Sequence, residues 1–584
     1  MHGFFKRLLH VDVTTQTSEV ETISDELLHK SLGGKGLATR LLLERNPQGV
    51  DPLSRENFLI LALGPVTDTL IWGGCRYGIF SKSPLTGFYA ESYSGGSVPL
   101  AMSRTGFDAF VIQGASSEAI WLEITDSGVL FHPAEDLWGQ ETYQAQDAIQ
   151  DMAGKEAGVL VIGPAGENLV RFAVVENDYW RSAGRTGMGA VMGSKKIKGI
   201  SFRGSQARPL ADPEGVKGFA KETLQRCKDH QATKAYRHSG TPMMVSVLNT
   251  AGGFPTRYWS RGSFESFEQI GAESMHNRLQ TRPSACKTCF MACGKMVNIP
   301  QGRRQGLHLE GPEYETIYAF GGLCCIDRIE EIAYLNDLCD RLGLDTISAG
   351  NLVGLMMEAS TRGRIEEHFE YGNSDQAVQL LKDIAQSRGI GGLLARGIKP
   401  AARELGIEDL AVHVKGMEPA GYDPRALKGM GLAYAVSDRG ACHLRSTFYK
   451  AELSGQIDPE TITDKAAFFL EYEDRCTLFD ALILCRFYRD FYWDELGRII
   501  SLTTGLDLHQ EELRQLAAGI TDQTRIFNIR EGLTRDDDRL PARLHREPLE
   551  DGQRITREEI EAMVQDYYRL RGWDENGYPG ELKI

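Results

Sequence analysis

Residues 208–216, RPLADPEGV, separate two kinds of sequence in this 584-residue chain. Upstream, FLILALGPVT, FDAFVIQGA, AIWLEITDSGVLFH, GVLVIGPAG and LVRFAVVEND are short β-branched or aromatic runs bounded by Gly, Pro, Asp or Asn. That pattern predicts strands joined by turns. Downstream, GVKGFAKETLQRCKDHQATKAY, RIEEIAYLNDLCDRLG, TISAGNLVGLMMEAS, DQAVQLLKDIAQSRG and REEIEAMVQDYYRLRG carry apolar residues three and four positions apart and end on Gly or small residues. That spacing predicts helices. The expected class is α+β: a β-rich N-terminal domain over 1–208, then two mainly α-helical domains. GIEDLAVHVKGMEPAGYDPR, residues 406–425, breaks the helical texture and sets the expected extents of those two at 209–410 and 411–584. No solenoid repeat or low-complexity tract is visible.

A chain this long exceeds one ordinary hydrophobic core. Its 65 Lys+Arg against 80 Asp+Glu, a net charge of -15, argues against a nucleic-acid partner, because phosphate backbones are held by basic surfaces. No run approaches the roughly eighteen apolar residues of a membrane span. MHGFFKRLLHVDVTTQTSEVE turns polar before an apolar signal core forms. The expectation is a cytoplasmic protein with no membrane partner. In a reduced compartment its 11 cysteines read as buried thiols or metal ligands rather than disulfides.

CKTCFMACGK, residues 286–295, holds Cys286, Cys289 and Cys293. CxxCxxxC is three quarters of a four-thiolate site, and soft thiolates select zinc or iron–sulfur. Zinc fingers supply ligands as two close pairs, and no second CxxC or HxxxH follows at a suitable distance. A triplet with a remote fourth thiol fits a 4Fe-4S cluster better. The fourth ligand is one of Cys75, Cys227, Cys324, Cys325, Cys339, Cys442, Cys476 and Cys485, and spacing does not choose among them. DRLGLD at 340–345 and DALILC at 480–485 share an outline, the second ending in a thiol. Read singly, each is ordinary helix-end chemistry.

GRTGMGAVMGSKK, residues 184–196, has the wrong spacing for a dinucleotide fingerprint, and ENDYWRSAGR ahead of it does not read as a strand. The chain has no flavin or nicotinamide fingerprint and no second cysteine array.

GGKGLATRLLLE (33–44), SKSPLTGFYAESYSGG (81–96), GRTGMGAVMGSKKIKGI (184–200), the cysteine triplet, EGPEYET (310–316), DRLGLD, DPRALKGMGLAYAVSDRGACH (423–443) and the Cys485 motif follow one another along nearly the whole chain. In that order they resemble the tungsten-containing aldehyde:ferredoxin oxidoreductase family. The resemblance implies a tungsten (or molybdenum) bis-pyranopterin seated on the N-terminal domain, with one 4Fe-4S cluster on Cys286, Cys289, Cys293 and Cys485. It implies that Arg76, Gly95, Ala183, Gly184, Arg185 and Arg445 receive the pterin phosphates. Asp340 and Asp345 serve one pterin and Asp480 the other, since an ionised carboxylate accepts from a row of pterin N–H groups. Backbone oxygens of Tyr93 and Ala183 would hold a magnesium ion bridging the phosphates. The motif glycine is Ile483 in the second copy. This departure implies either that no left-handed backbone is needed there or that the second pterin sits differently.

Aldehyde oxidation needs an oxygen nucleophile, a base, a polarised carbonyl and a two-electron acceptor. EGPEYET offers Glu310, Glu313 and Glu315. The resemblance selects Glu313 as the catalytic carboxylate, its pKa raised by burial, and His443 as its imidazole neighbour, with Lys428 a weaker candidate. It further implies a small aldehyde or acid as substrate, a ferredoxin or iron–sulfur subunit as electron acceptor, and a homo- or hetero-oligomer. Two other readings fit the same residues. One is the catalytic subunit of a benzoyl-CoA-reductase-like, ring-reducing complex of the same family. The other is a zinc-stapled scaffold without activity.

Overall fold

The computed structural model describes residues 1–580. It has a β-rich N-terminal region followed by a mostly helical remainder, as the texture change at RPLADPEGV implies. The first sheet comprises β1 (Arg7–Asp12), β2 (Thr17–Thr22), β3 (Leu59–Ala62), β4 (Tyr77–Lys82), β5 (Tyr89–Ser94) and β6 (Ala109–Gln113). The second comprises β7 (Ile120–Thr125), β8 (Gly128–Pro133), β9 (Gly158–Val161), β10 (Val175–Asn177), β11 (Arg181–Ala183) and β12 (Ile197–Arg203).

The strand orders are β2-β1-β6-β3-β4-β5 and, read from its other edge, β8-β7-β12-β9-β10-β11. Adding six to each strand of the first sheet reproduces the second. The senses agree too: β1 with β6 and β7 with β12 are parallel, and every other neighbouring pair is antiparallel. The N-terminal region is an internal duplication. A period of about a hundred residues with little shared identity leaves no solenoid signature. The two edge strands β5 and β11 face each other. Asn177 accepts from the Tyr77 hydroxyl at 2.9 Å and the Ser94 hydroxyl at 3.0 Å, tying one half to the other.

Two strands lie inside ENDYWRSAGR, where none was expected. Left-handed Asp178 (φ 49) and Tyr179 (φ 64) reverse the chain, so Val175–Asn177 pairs back on Arg181–Ala183. Three-residue strands are too short for any periodicity to show. The expected helix over GVKGFAKETLQRCKDHQATKAY is two, Pro213–Cys227 and Gln231–Ser239, because His230 caps a fresh start by accepting from the Ala232 N–H.

The helices that bear on the centre are α1 (Gly34–Arg45), α2 (Met188–Ser194), α3 (Ile329–Leu342), α4 (Thr346–Thr361), α5 (Lys465–Leu482) and α6 (Gln510–Arg530). The chain between Glu404 and Lys428 is irregular, and side chains from both sides of it, Ile332 and Leu355 with Met430 and Tyr567, share one apolar core.

The duplication reaches into the helical part. β3 runs into Leu63-Gly64-Pro65 and β9 into Ile162-Gly163-Pro164. A Cβ on Gly64 would lie 1.9 Å from the Leu482 carbonyl oxygen, and one on Gly163 would lie 2.5 Å from that of Leu342. Each glycine thus receives the end of one helix, α5 and α3 respectively. Both helices close on a left-handed residue, Ile483 (φ 56, ψ 44) and Gly343 (φ 77, ψ 47), whose N–H turns back to the carbonyls of Asp480 and Asp340. The missing motif glycine therefore does not signal a relaxed backbone. Ile483 carries the same conformation, at a cost of about 1–2 kcal/mol, and its side chain is buried. Replacing Gly64 or Gly163 by alanine is expected to push the helix end away, cost about 1–3 kcal/mol and lower the thermal midpoint. Gly218→Ala, where a Cβ meets nothing within 4 Å, should leave it unchanged or slightly raised; differential scanning calorimetry of the three variants reads this.

Candidate active site and metal centre

Thr288 (φ 54) and Ala292 (φ 49), each just ahead of a cysteine, turn the 286–293 loop on itself. Lys295, 2% exposed, pins it by donating to the carbonyls of Tyr236 at 2.9 Å and Cys293 at 3.0 Å. Gly73 joins Cys485 to this loop: its carbonyl accepts from the Cys485 N–H at 3.0 Å, and its own N–H donates to Thr288 at 3.3 Å. Cys289, Cys293 and Cys485 border one apolar cluster, and the Tyr488 hydroxyl donates to Cys289 Sγ at 3.3 Å. Burial, then the charge of Cys485, pushes the Cys289 thiol up.

Cys75, buried behind Cys286, is the fifth thiol of the group. Its hydrogen bond, with Arg181 and Arg76 helping, outweighs burial and pulls Cys286 down to about 5. Among the described residues the one group of three or more His, Cys, Asp or Glu ligand atoms within 4.8 Å of one another is His10, Glu19 and Glu21. The thiols are therefore spread wider than the tight tetrahedron around a single zinc ion, whose bonds are about 2.3 Å.

Beside the thiols, the seam between the two sheets and the helices is filled with buried charge. Lys35, on α1, reaches Glu91 at 3.0 Å and Asp438 at 2.6 Å. Arg445 bridges Glu91 and Asp480, the latter at 2.8 Å, and Arg486 also binds Asp480. Burial alone would raise Glu91, but Arg445, Lys35 and Arg439 hold it well below the carboxylate range. The other half is built with the opposite balance. Asp340 has the Asn336 amide at 2.7 Å and faces Glu176, neither of whose carboxylate oxygens has a hydrogen-bond partner. Burial raises both carboxyls far above their usual values; after it comes Asp337 for Asp340, and Asp340 for Glu176.

The remaining expected residues lie around this seam. Arg76 donates to the Tyr93 carbonyl at 3.1 Å, and a Cβ on Gly95 would lie 3.3 Å from Cys286 Sγ. Ala183 ends β11 opposite Val175; its counterpart in the duplication is Ser94, next to Tyr93. After Gly184, Arg185 donates to Asp345 at 3.0 Å and to the Glu418 carbonyl at 2.9 Å. Asp345 is the N-cap of α4, accepting from the Ile347 N–H at 2.9 Å and the Ser348 hydroxyl at 2.9 Å. Both its oxygens are thus engaged within the protein. Buried atoms without partners are common along the seam: Arg445 Nε and Nη2, Arg486 Nη1, Glu418 Oε1 and Asp438 Oδ1. A large ligand with anionic and N–H-rich ends meets that need, since guanidinium forks suit phosphate and carboxylates suit N–H rows.

His443, at the end of this seam, opens on a cavity of about 340 Å³ whose walls include Tyr422, Tyr449, Phe487 and Met244. Glu313 and Glu315 both line it. The carboxylate next to the imidazole is Glu315, with Oε1 3.5 Å from His443 Nε2. Its other oxygen accepts from the Gly421 N–H at 3.0 Å. Glu313, expected to neighbour His443, instead accepts from the Thr241 hydroxyl. Glu313 sits in extended backbone ahead of the short helix Tyr314–Thr316, whereas Glu315 is inside it, so their side chains diverge. Burial pushes Glu315 up to about 8. Burial and the nearby Arg185, Arg439 and Arg445 push His443 well down, so the imidazole is neutral. Lys428 pairs with Glu559 at 2.8 Å and is absent from the cavity wall.

Two family profiles match this chain: "Aldehyde ferredoxin oxidoreductase, N-terminal domain" over residues 8–204 and "Aldehyde ferredoxin oxidoreductase, domains 2 & 3" over 218–584. The chain belongs to the aldehyde ferredoxin oxidoreductase family. The interval between the two matches contains RPLADPEGV. Tungsten-containing aldehyde ferredoxin oxidoreductase from Pyrococcus furiosus is 34% identical, covering 99% of this chain and 97% of its own. That from Thermococcus kodakarensis is 35% identical over the same shares, 99% and 97%. Among solved structures, the active site complex BamBC of benzoyl coenzyme A reductase with 1,5 dienoyl-CoA matches with a TM-score of 0.84, covering 99% of this chain and 96% of that one, at 23% identity. At that identity the likeness is one of fold.

Several residues of the centre were not anticipated. Lys35, Glu91 and Asp438 lie inside quoted motifs, yet nothing in their spacing announces burial. Glu176 and Glu418 carried no signal at all. No helix among the described residues is long and apolar enough to cross a membrane. Cys485→Ser is expected to abolish the visible iron–sulfur absorbance and most bound iron, whereas Cys75→Ser should retain both. Iron analysis of anaerobically purified variants checks this, and loss in Cys75→Ser with retention in Cys485→Ser would reverse the ligand assignment.

Proposed function

We propose that this protein oxidises aldehydes to carboxylic acids at a tungsten (or molybdenum) bis-pyranopterin centre and passes the electrons through one 4Fe-4S cluster to a ferredoxin or iron–sulfur subunit. The observation that carries the reading is the His443–Glu315 pair, set at the meeting point of an apolar cavity and a seam of buried cations and carboxylates, several of whose polar atoms lack partners. Cys286, Cys289, Cys293 and Cys485 hold the cluster. Arg76, Gly95, Ala183, Gly184, Arg185 and Arg445 surround the phosphate end of the cofactor, with Tyr93 and Ala183 offering carbonyls to magnesium. Asp340 and Asp480 accept the pterin N–H groups, and Asp345 steadies Arg185. When bound, the metal centre supplies the two-electron acceptor and the cluster divides the pair into single electrons.

The overall change is RCHO plus water to RCOOH, two protons and two electrons. The residues of the chain handle the protons and the geometry. Neutral His443 donates a hydrogen bond to the aldehyde oxygen, polarising the carbonyl. Ionised Glu315 takes the proton from the attacking water. Glu313, held by Thr241, shapes the same cavity. The aromatic and thioether walls favour an apolar R group.

Glu315 is protonated below its value of about 8, so its basic form accumulates as pH rises. Turnover should therefore climb through that range and fall on the acid side. Glu315→Gln is expected to remove that limb and lower kcat about 100-fold or more, with tungsten and iron retained. Should Glu313→Gln lose turnover while Glu315→Gln keeps it, Glu313 is the base. Viologen reduction with acetaldehyde and benzaldehyde, set against benzoyl-CoA-dependent oxidation of a reduced dye, tests the substrate class; activity confined to the latter would overturn the aldehyde reading.

A further inference from the structure

The cysteine loop comes to the surface. Cys286, Cys289 and Cys293 are half-buried, while Arg282 and Lys287 among them are exposed. The helix Gln231–Ser239 packs on the same loop, and Arg237 donates to the Phe290 carbonyl at 2.7 Å. Lys234, Arg237 and His238, three and four residues apart, are exposed and share one face of that helix. On the loop's other side, Gly73 bonds to Thr288 and the nearby Leu70 is 53% exposed.

The charge here runs against the rest of the chain, whose net is -15. Cations close by are neutralised: Arg226 by Glu495 at 3.0 Å and Arg278 by Glu330 at 2.7 Å. Among the described residues, Lys234, Arg237, Arg282 and Lys287 have no carboxylate within 4.0 Å. Unpaired like charges on a surface loop and on the helix bonded to it add nothing to folding, but they make a local positive potential on an acidic molecule. Lys287 lies within the loop of the thiols proposed to hold the cluster, and Arg237 is bonded to that loop.

We infer that Lys234, Arg237, Arg282 and Lys287, arranged beside exposed Leu70, form the docking face for an acidic, soluble iron–sulfur electron carrier. This rests on the function proposed above. The cations steer the carrier and set its orientation, and Leu70 gives the contact an apolar point. A cluster held there would supply one electron to the oxidised carrier in each encounter, with no bond made or broken. One aldehyde thus serves two carriers.

The test uses holoenzyme of equal iron and tungsten content, as wild type and as the triple variant Lys234→Glu, Arg282→Glu, Lys287→Glu. Acceptors are an acidic 4Fe-4S ferredoxin and, separately, benzyl viologen. The variant should show a KM for ferredoxin raised about tenfold at low salt and should lose the wild type's decline in kcat/KM with added salt. Viologen-linked oxidation should stay within about twofold. Calorimetric binding of the same ferredoxin without aldehyde should weaken about tenfold. Equal ferredoxin binding by variant and wild type overturns the docking face. A wild type that binds ferredoxin through this face but reduces no viologen with any aldehyde sinks the aldehyde reading and leaves the face standing.

Discussion

Two glycines receive the ends of two helices, and the polar centre depends on that contact. At Gly64 and Gly163 there is no room for a Cβ against the carbonyls of Leu482 and Leu342. Only backbone meeting backbone lets α5 and α3 approach the ends of β3 and β9 so closely. That approach delivers Asp480 and Asp340, each in the last turn of its helix, to equivalent places on the duplicated sheets, and it carries Cys485 onward to the cysteine loop. The left-handed closures serve the same end, because they turn the chain sharply enough for the next residues to run along the sheet edge. Ile483 accepts a strained backbone there, and the surrounding core holds it in place.

The two halves share geometry but not electrostatics. Asp480 is neutralised by Arg445 and Arg486, within a network that also binds Glu91, Lys35 and Asp438. Asp340 has no cation bonded to it and confronts Glu176, so burial drives both toward the protonated state. A symmetric fold thus offers two unlike cradles, one rich in fixed positive charge and one able to share a proton. Buried charges of this kind are costly unless fully paired. Their partnerless atoms concentrate where a polar ligand would complete them.

The cavity beside His443 shows the same division between placement and chemistry. His443 is kept neutral by burial among guanidinium groups, and Glu315 is kept protonated near neutrality chiefly by burial. Neither effect belongs to the residue type. The short helix that begins at Tyr314 separates Glu315 from Glu313 and gives the imidazole one carboxylate rather than the other. The motif EGPEYET announces carboxylates in a row, and only the turn of the backbone decides which one faces the imidazole.

By itself the sequence determined the passage from a β-rich to a mostly helical region, the boundary at RPLADPEGV, the thiol triplet and, through a series of motifs, the family. Those are local or linear properties: side-chain period, turn residues and the spacing of like ligands. It left the duplication unseen, because topology can repeat without repeating residues. It left ENDYWRSAGR without strands, because three-residue pairings are created by their neighbours. Spacing gave no choice among the remaining cysteines; what gathered Cys485 and Cys75 to the triplet was the packing of Gly73 and Gly95 between distant segments. The pairing of Lys35 with Glu91, of Arg445 with Asp480 and of His443 with Glu315 was decided by the tertiary structure alone, since burial and the convergence of charges are properties of the folded interior and have no counterpart along the chain.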